Sequence, residues 1–274
     1  RSGGIVTIHD LWLARHPEYS RKLLGQAGSS RRAIATANRA RRVVTVSEFS
    51  AREIEALYGI PRERVVVIHN GVTEEFSPVQ DEQGMAVLRA RWAIPSAGFI
   101  LFVGGADPRK NHRVFLQAVA QSRSQLGGRA ILLVGDAEHP QGSYLATARS
   151  LGLEQDVRCT GRLNREDLCR LYSYAEVFVF PSLYEGFGMP VLEAMACGAP
   201  TITSSTSSLP EVAGDAALLV NPEDAEALGA AMVKVLSEQA LRQQLRDRGF
   251  ERTRLFTWQR AALRTSALYR ELCA

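Results

Sequence analysis

The sequence predicts an α/β fold of doubly wound parallel sheets in two domains, the first of them incomplete. Three observations carry that expectation. Short apolar runs of strand length alternate with segments of helical period, which implies buried strands in parallel sheets with helices on both faces. A polar, proline-punctuated stretch interrupts the alternation between Asn70 and Ser96, as a linker does. The composition, 46% hydrophobic and 23% charged over 274 residues, is that of an ordinary globular protein and excludes disordered, collagen-like and disulfide-scaffold classes.

Before the break, strands are expected at 5–8, 43–46 and 65–68, with helices at 31–40 and 50–58. Three strands are too few for a doubly wound domain. The first domain, residues 1–75, is therefore expected to lack its N-terminal part. Asn70-Gly71 signals a turn, Pro78 and Pro95 punctuate the linker at 76–96, and one short helix is expected near 85–92. Beyond it, runs at 99–103, 130–134, 157–160, 177–180, 201–203 and 217–220 supply six strands, enough for a complete domain over 97–255. Helical patterns at 111–122, 144–151, 165–174, 190–197 and 225–236 separate them. The tail from Ser237 is helical and amphipathic, with Trp258 and Tyr269 the expected packing anchors.

No run approaches the roughly 18 consecutive apolar residues of a membrane helix, and no signal pattern follows Arg1. Cys159, Cys169, Cys197 and Cys273 lie far apart without a Cys-x-x-Cys pair. They read as reduced thiols of a cytoplasmic protein rather than a zinc site. Charge is uneven: the first 75 residues hold 12 Lys+Arg against 8 Asp+Glu, while the remainder hold 21 of each. Arg31, Arg32, Arg39, Arg41 and Arg42 are the densest group. They form either a solvated helix face or a surface that meets anionic lipid or a phosphorylated acceptor. Nucleic acid is not expected, because no binding module accompanies the charge.

Ligands of open α/β sheets bind beyond the carboxyl ends of the strands, and two strand-to-helix junctions carry unusual chemistry. Residues 102–111 run Phe-Val-Gly-Gly-Ala-Asp-Pro-Arg-Lys-Asn. Gly104 and Gly105 let a ligand approach the backbone, and Asn111 is placed to cap the next helix. Arg109 and Lys110 add positive charge beside that helix N-terminus, where anions are already favoured. A diphosphate fits; a plain polar loop is the alternative. A nicotinamide dinucleotide fits worse, because Gly-x-Gly-x-x-Gly is absent.

The second junction, 180–198, contains Glu185-Gly186-Phe187-Gly188-Met189-Pro190, with Glu193 three residues further on. Pro190 suits a first helical turn. The amides from Gly186 to Met189 can donate to anionic or hydroxyl oxygens, and the two carboxylates can hold sugar hydroxyls through charge-assisted, directional hydrogen bonds. Two glutamates eight apart mean little alone; set in this loop they point to a sugar nucleotide. His9 follows a strand, and a structural role competes with a catalytic one. Asp10 is expected to brace the turn after it.

The stretch 185–193 resembles the Glu-x7-Glu motif of the retaining glycosyltransferases of family 4, which have the GT-B fold of two Rossmann-like domains. The flanking text agrees: Gly161-Arg-Leu, Tyr172-Ser-Tyr-Ala-Glu-Val-Phe-Val-Phe-Pro, Cys197-Gly-Ala-Pro and Leu209-Pro-Glu-Val. Thr7-Ile-His-Asp-Leu, Ser47-Glu-Phe-Ser and Asn70-Gly-Val match the family's first domain, and Phe256-Thr-Trp resembles the start of the helix that crosses back to it. The similarity covers nearly the whole chain.

The resemblance implies roles residue by residue. Glu193 binds the ribose hydroxyls of the donor. Arg109 and Lys110 bind the diphosphate and stabilise it as a leaving group, next to Gly104 and Gly105. Glu185 grips the hexose together with Gly186 and the amides of Phe187, Gly188 and Met189. The backbone around Arg162 and Leu163 meets the base, and His9 faces the sugar from the other domain. Retention by front-face attack is implied, the leaving phosphate helping to deprotonate the acceptor, with no protein nucleophile. No cofactor is expected beyond the sugar nucleotide, and no metal, since Asp-x-Asp is missing and the cations take that role.

The same wording looks like bacterial mannosyltransferases of surface-polysaccharide assembly. The expected donor is GDP-mannose, with a UDP-sugar as the alternative. The expected acceptor is a polysaccharide or lipid-linked saccharide, met in the cytoplasm or peripherally on the inner face of the membrane. Two other classes stay open: a non-transferring nucleotide-sugar enzyme such as an epimerase, and a donor-binding fragment without turnover. The second follows from the family's opening glycine-rich loop, which these residues do not contain.

Overall fold

A computed structural model describes residues 4–16, 29–139 and 142–273, with 29–33 described by their backbone alone. By their contacts the residues form two units. One comprises Arg1–Gly71, Tyr184–Gly188 and Phe256–Ala274; the other comprises Val72–Leu183 and Met189–Leu255.

In the first unit, β1 (Ile5–Ile8), β2 (Arg42–Thr45) and β3 (Val65–Val67) pair in parallel in that order, Val6 opposite Val43 and Val44 opposite Val66. Between them lie α1 (Trp12–Arg15), α2 (Ser29–Arg39) and α3 (Glu48–Tyr58). Ser47 starts α3 by accepting the Ser50 amide on its hydroxyl, and Gly59 ends it at φ +64°. Strand residues alternate faces. Val43, Val65 and Val67 pack with Ala51, Ile54 and Leu11, whereas Val44 points to the opposite face.

The second unit runs α4 (Glu82–Arg91), β4 (Phe99–Val103), α5 (His112–Ser122), β5 (Ala130–Val134), β6 (Glu138–His139), β7 (Gly142–Ser143), α6 (Tyr144–Ser150), β8 (Val157–Gly161), α7 (Arg165–Tyr174), β9 (Val177–Phe180), α8 (Met189–Ala196), β10 (Thr201–Ser204), α9 (Leu209–Ala213), β11 (Ala217–Val220), α10 (Ala225–Ser237) and α11 (Gln239–Thr253). Six of its strands form a parallel sheet in the order β11-β10-β9-β4-β5-β8. Both faces are covered, so Phe99 to Phe102 and Val177 to Phe180 are fully buried at every position. That is why these runs are uniformly apolar rather than alternating. Residues before β4 join this unit through α4, where Arg170 of α7 pairs with Asp81 at 2.8 Å. Asp81 also caps α4 by accepting the Gly84 amide at 2.9 Å.

The chain closes with α12 (Trp258–Cys273), which belongs to the first unit. Ala261 and Leu268, seven residues apart on one helical stripe, pack on Val44 and Ile68. The expectation for Trp258 and Tyr269 is corrected here. They are 46% and 54% exposed, because they flank the sheet-facing stripe instead of forming it. They border a cavity of about 160 Å³ that is also lined by Ile5, Val46 and His69. Part of the basic group is committed to this helix: Arg41 donates to the Leu272 carbonyl at 2.7 Å and Arg42 pairs with Glu271 at 3.0 Å. Cations suit a helix C-terminus. The side chains of Arg31 and Arg32 lie outside the described residues. No helix among the described residues is long and apolar enough to cross a membrane.

Candidate functional site

In the second unit the strand order reverses between β4 and β9: the chain moves outward through β5 and β8, then returns to β9 beside β4. A ligand is expected beyond the carboxyl ends of those two strands, and both junctions singled out in the sequence start there. After β4, Asp107 accepts the Arg109 amide at 2.9 Å and opens a single 3₁₀ turn over Pro108–Lys110. The Leu183 amide, beyond β9, donates to the Arg109 carbonyl at 2.8 Å. Asn111 adds the strongest tie. It does not cap α5 with its side chain, contrary to expectation: its φ of +60° turns the side chain away from the helix. The buried amide donates instead to the carbonyls of Pro181 at 3.0 Å and Pro222 at 2.6 Å, holding the ends of β4, β9 and β11 together.

The charges follow from this frame. Arg109 pairs with Asp107 at 3.0 Å, and the Lys110 ammonium stands 5.1 Å from the centre of the Phe180 ring, a cation–π distance. A Cβ on Gly104 would lie 3.1 Å from Lys110 Cγ, so glycine leaves room for the lysine stem, while Gly105 has ordinary clearance on every side. Glu193 is half-buried on α8 and accepts the Tyr172 hydroxyl at 3.3 Å. Burial pushes its carboxyl above the usual glutamate range, against the Tyr172 bond and the charge of Arg165. Met189 opens the same helix. Arg162 is exposed and forked onto Asp136, and Leu163 beside it is half-buried.

The remaining expected site residues belong to the first unit. His9 is exposed at the end of β1. A Cβ on Gly186 would lie 2.1 Å from the His9 carbonyl oxygen and 2.8 Å from Asp10 Cβ, so no other residue fits there. The Gly186 carbonyl accepts the hydroxyls of Ser47 at 2.7 Å and Ser50 at 3.2 Å. The Tyr184 hydroxyl accepts the Leu11 amide at 3.2 Å. Phe187 lies 6.0 Å from His69 and 5.7 Å from Phe256, ring centre to ring centre. Glu185 is half-buried and Gly188 buried. Asp10 accepts the Trp12 amide at 3.1 Å, the bracing role read from the sequence.

Residues 87–252 match the family model described as Glycosyl transferases group 1, and residues 4–76 match that of Glycosyltransferase Family 4. The chain belongs to the group 1 glycosyltransferases. It is 32% identical over 270 residues to the O-antigen chain mannosyltransferase B of Escherichia coli, covering 98% of this chain and 70% of that protein. It is 34% identical over 233 residues to the serotype-specific mannosyltransferase WbdA of E. coli, covering 84% of this chain but only 28% of the relative. Among solved structures, sucrose-phosphate synthase of Thermosynechococcus elongatus superposes with a TM-score of 0.80 at 29% identity, over 98% of this chain and 67% of that one. Anabaena HepE, solved with UDP and glucose, superposes with a TM-score of 0.80 at 20% identity, over 97% of this chain and 71% of that one. The architecture is GT-B.

Several polar residues of the motifs carry contacts that the motifs do not announce: Tyr172 on Glu193, Asp107 under Arg109, and the Ser47 and Ser50 hydroxyls on Gly186. Ser47 and Ser50 carry a local signal, that of a helix start. Nothing in their spacing reports a partner 139 and 136 residues away.

Proposed function

We propose that the chain binds a nucleoside-diphosphate hexose and transfers the hexose, with retention, to a polysaccharide or lipid-linked saccharide, and that the donor is GDP-mannose. The observation that carries this reading is the cationic turn Pro108–Lys110, clipped to the residues after β9 at the strand-order reversal. Arg109 and Lys110 take the diphosphate oxygens, with Gly104 and Gly105 admitting the phosphate. Their charge stabilises the negative charge that grows as the bond from anomeric carbon to phosphate oxygen breaks. Glu193 accepts the two ribose hydroxyls. A partly buried carboxylate with an upward-shifted pKa is short of donors, and a vicinal diol supplies two.

Glu185, Gly186 and the amides of Phe187, Gly188 and Met189 are assigned to the hexose, His9 to the sugar, and the backbone of Arg162 and Leu163 to the base. The acceptor oxygen bonds the anomeric carbon on the face the phosphate leaves, and its proton passes to the departing phosphate oxygen. Two cations already serve the leaving group, so transfer proceeds without a metal. Mannose is favoured by the E. coli relatives, which are mannosyltransferases at 32% and 34% identity. The positive surplus of the first 75 residues brings the protein to the anionic inner face of the membrane.

Titration calorimetry with GDP, UDP and their sugars tests the donor site: binding with GDP tightest is expected, and no heat from folded protein with any of them ends the reading. Product analysis with GDP-mannose, an acceptor and EDTA tests transfer; an isomerised sugar nucleotide formed without acceptor would point to an epimerase instead. Flotation with anionic liposomes tests the membrane contact, which fails if nothing binds at low salt.

A further inference from the structure

We propose that Asp136, held in place by Arg162, reads the base of the nucleotide and selects guanine over uracil. This rests on the reading of the second unit as the nucleotide site. The three strands β4, β5 and β8 run to one edge of the sheet, and their carboxyl ends form a row. The Gly104 amide donates to Val134 at 2.8 Å, the Ala106 amide to the Asp136 carbonyl at 2.9 Å, and the Gly135 amide to Gly161 at 2.9 Å. A Cβ on Gly135 would fall 2.3 Å from the Gly104 carbonyl oxygen, at φ +126°, so the row closes up only with glycine there. From the β4 turn to residues 161–163 it spans two strand spacings, roughly 10 Å, about the reach of a nucleoside.

Glu193 points the same way. The charge acting on it is Arg165, the first residue of α7. That helix follows directly on residues 161–163. On the reading that Glu193 holds the ribose, the base extends toward the end of the row where Asp136 and Arg162 stand.

Arg162 forks onto the carboxylate, Nε 3.1 Å from Oδ1 and 3.0 Å from Oδ2, and Nη2 2.7 Å from Oδ2. The side chains are 82% and 53% exposed, so the pair contributes little to stability. What it does is orient a carboxylate. Each carboxylate oxygen has two lone-pair directions, and the fork leaves acceptor capacity on the solvent side. The Watson–Crick edge of guanine presents N1–H and N2–H side by side, a match for two carboxylate oxygens. Uracil presents one N–H between two carbonyl oxygens, which a carboxylate repels. The guanidinium also offers a flat face for the base to stack on. Arg162 keeps Asp136 below the usual carboxylate range, so the group is an acceptor throughout the neutral range.

The test titrates GDP, IDP and UDP into the full chain, as wild type, Asp136→Ala and Asp136→Asn. Wild type is expected to bind GDP roughly tenfold or more tighter than UDP, and tighter than IDP, which lacks the N2 amine. Asp136→Ala is expected to lose roughly tenfold to hundredfold in GDP affinity, as for a bidentate base contact. Its UDP affinity is retained or rises, which also reports an intact fold, and it no longer distinguishes GDP from IDP. Asp136→Asn, with a donor in place of one acceptor, shifts the preference further toward UDP. If wild type binds GDP but Asp136→Ala preserves the GDP:UDP and GDP:IDP ratios within about twofold, the role of Asp136 is overturned and the nucleotide site stands. Tighter UDP than GDP binding by wild type also overturns it. Failure of all three ligands to bind wild type overturns both.

Discussion

The strand ends of the two units are finished in opposite ways. In the second unit the carboxyl ends of β4 and β9 carry formal charge: Arg109, Lys110, Asp107 and Glu193, steadied by one neutral strut, Asn111. In the first, the loop at Tyr184–Gly188 is seated by hydroxyls and by shape: Ser47 and Ser50 on the Gly186 carbonyl, Tyr184 on the Leu11 amide, and a glycine pressed against His9. Charge suits a surface whose task is to meet an anion, since Coulomb attraction tolerates imperfect geometry. Neutral hydrogen bonds and close packing suit a surface whose task is to hold a backbone in one place, because both fall off steeply with small displacements.

The comparison breaks most readily at the charges. Arg109→Ala with Lys110→Ala is expected to lower nucleoside diphosphate affinity about a hundredfold, by the order of a lost charge-assisted pair of contacts. The unfolding midpoint should barely move, and calorimetry beside thermal melts checks both. A large fall in melting temperature would mean the pair is structural.

Glycines sharpen the contrast. Gly186→Ala drives a Cβ into the His9 carbonyl and is expected to cost roughly 1–3 kcal/mol or more. Gly105→Ala, with its nearest neighbour 3.8 Å away, is expected to stay within about 0.5 kcal/mol. Urea denaturation of the two variants decides it, and equal midpoints would contradict the packing. Asn111→Ala leaves two buried carbonyls without their donor, for a loss of roughly 1–3 kcal/mol; Ser47→Ala in the first unit should cost roughly 1–2 kcal/mol, chiefly the lost cap of α3, since Ser50 still reaches the Gly186 carbonyl.

The smallest effect is a matter of sign. Folding raises the pKa of Glu193, so between its ordinary value and the raised one the native state holds more protons than the unfolded chain. The contribution of this residue to stability therefore falls as pH rises through that window. Glu193→Gln is expected to raise the melting temperature slightly at neutral pH, to lose that gain below the ordinary glutamate range, and to weaken GDP binding. Melting curves from acid to neutral pH check the slope; a gain that grows toward acid would refute the burial argument.

Much of the second unit was legible because its signals are local. Uniform apolar runs reveal strands covered on both faces, and Gly104, Gly105, Arg109 and Lys110 sit within one junction. The strand boundaries moved by a residue where pairing decides them, as where β8 continues to Gly161 beside Gly135. The antiparallel pair β6–β7, two residues a strand, is too short to leave a periodic trace. Asn111 departs from its local signal for a different reason: its position before a helix is the usual capping signal, and its left-handed backbone reverses it.

What the sequence determined by itself is what depends on neighbours in the chain: the alternation of strands and helices, the two glycine-bearing junctions, and the charges beside them. Only the tertiary structure decided which distant groups those junctions meet, namely Pro181 and Pro222 for Asn111, Ser47 and Ser50 for Gly186, Tyr172 for Glu193 and Arg162 for Asp136. Hydrogen bonds between side chains and remote carbonyls have no period and no fixed spacing, so they come into being only when the sheet sets the strand ends side by side.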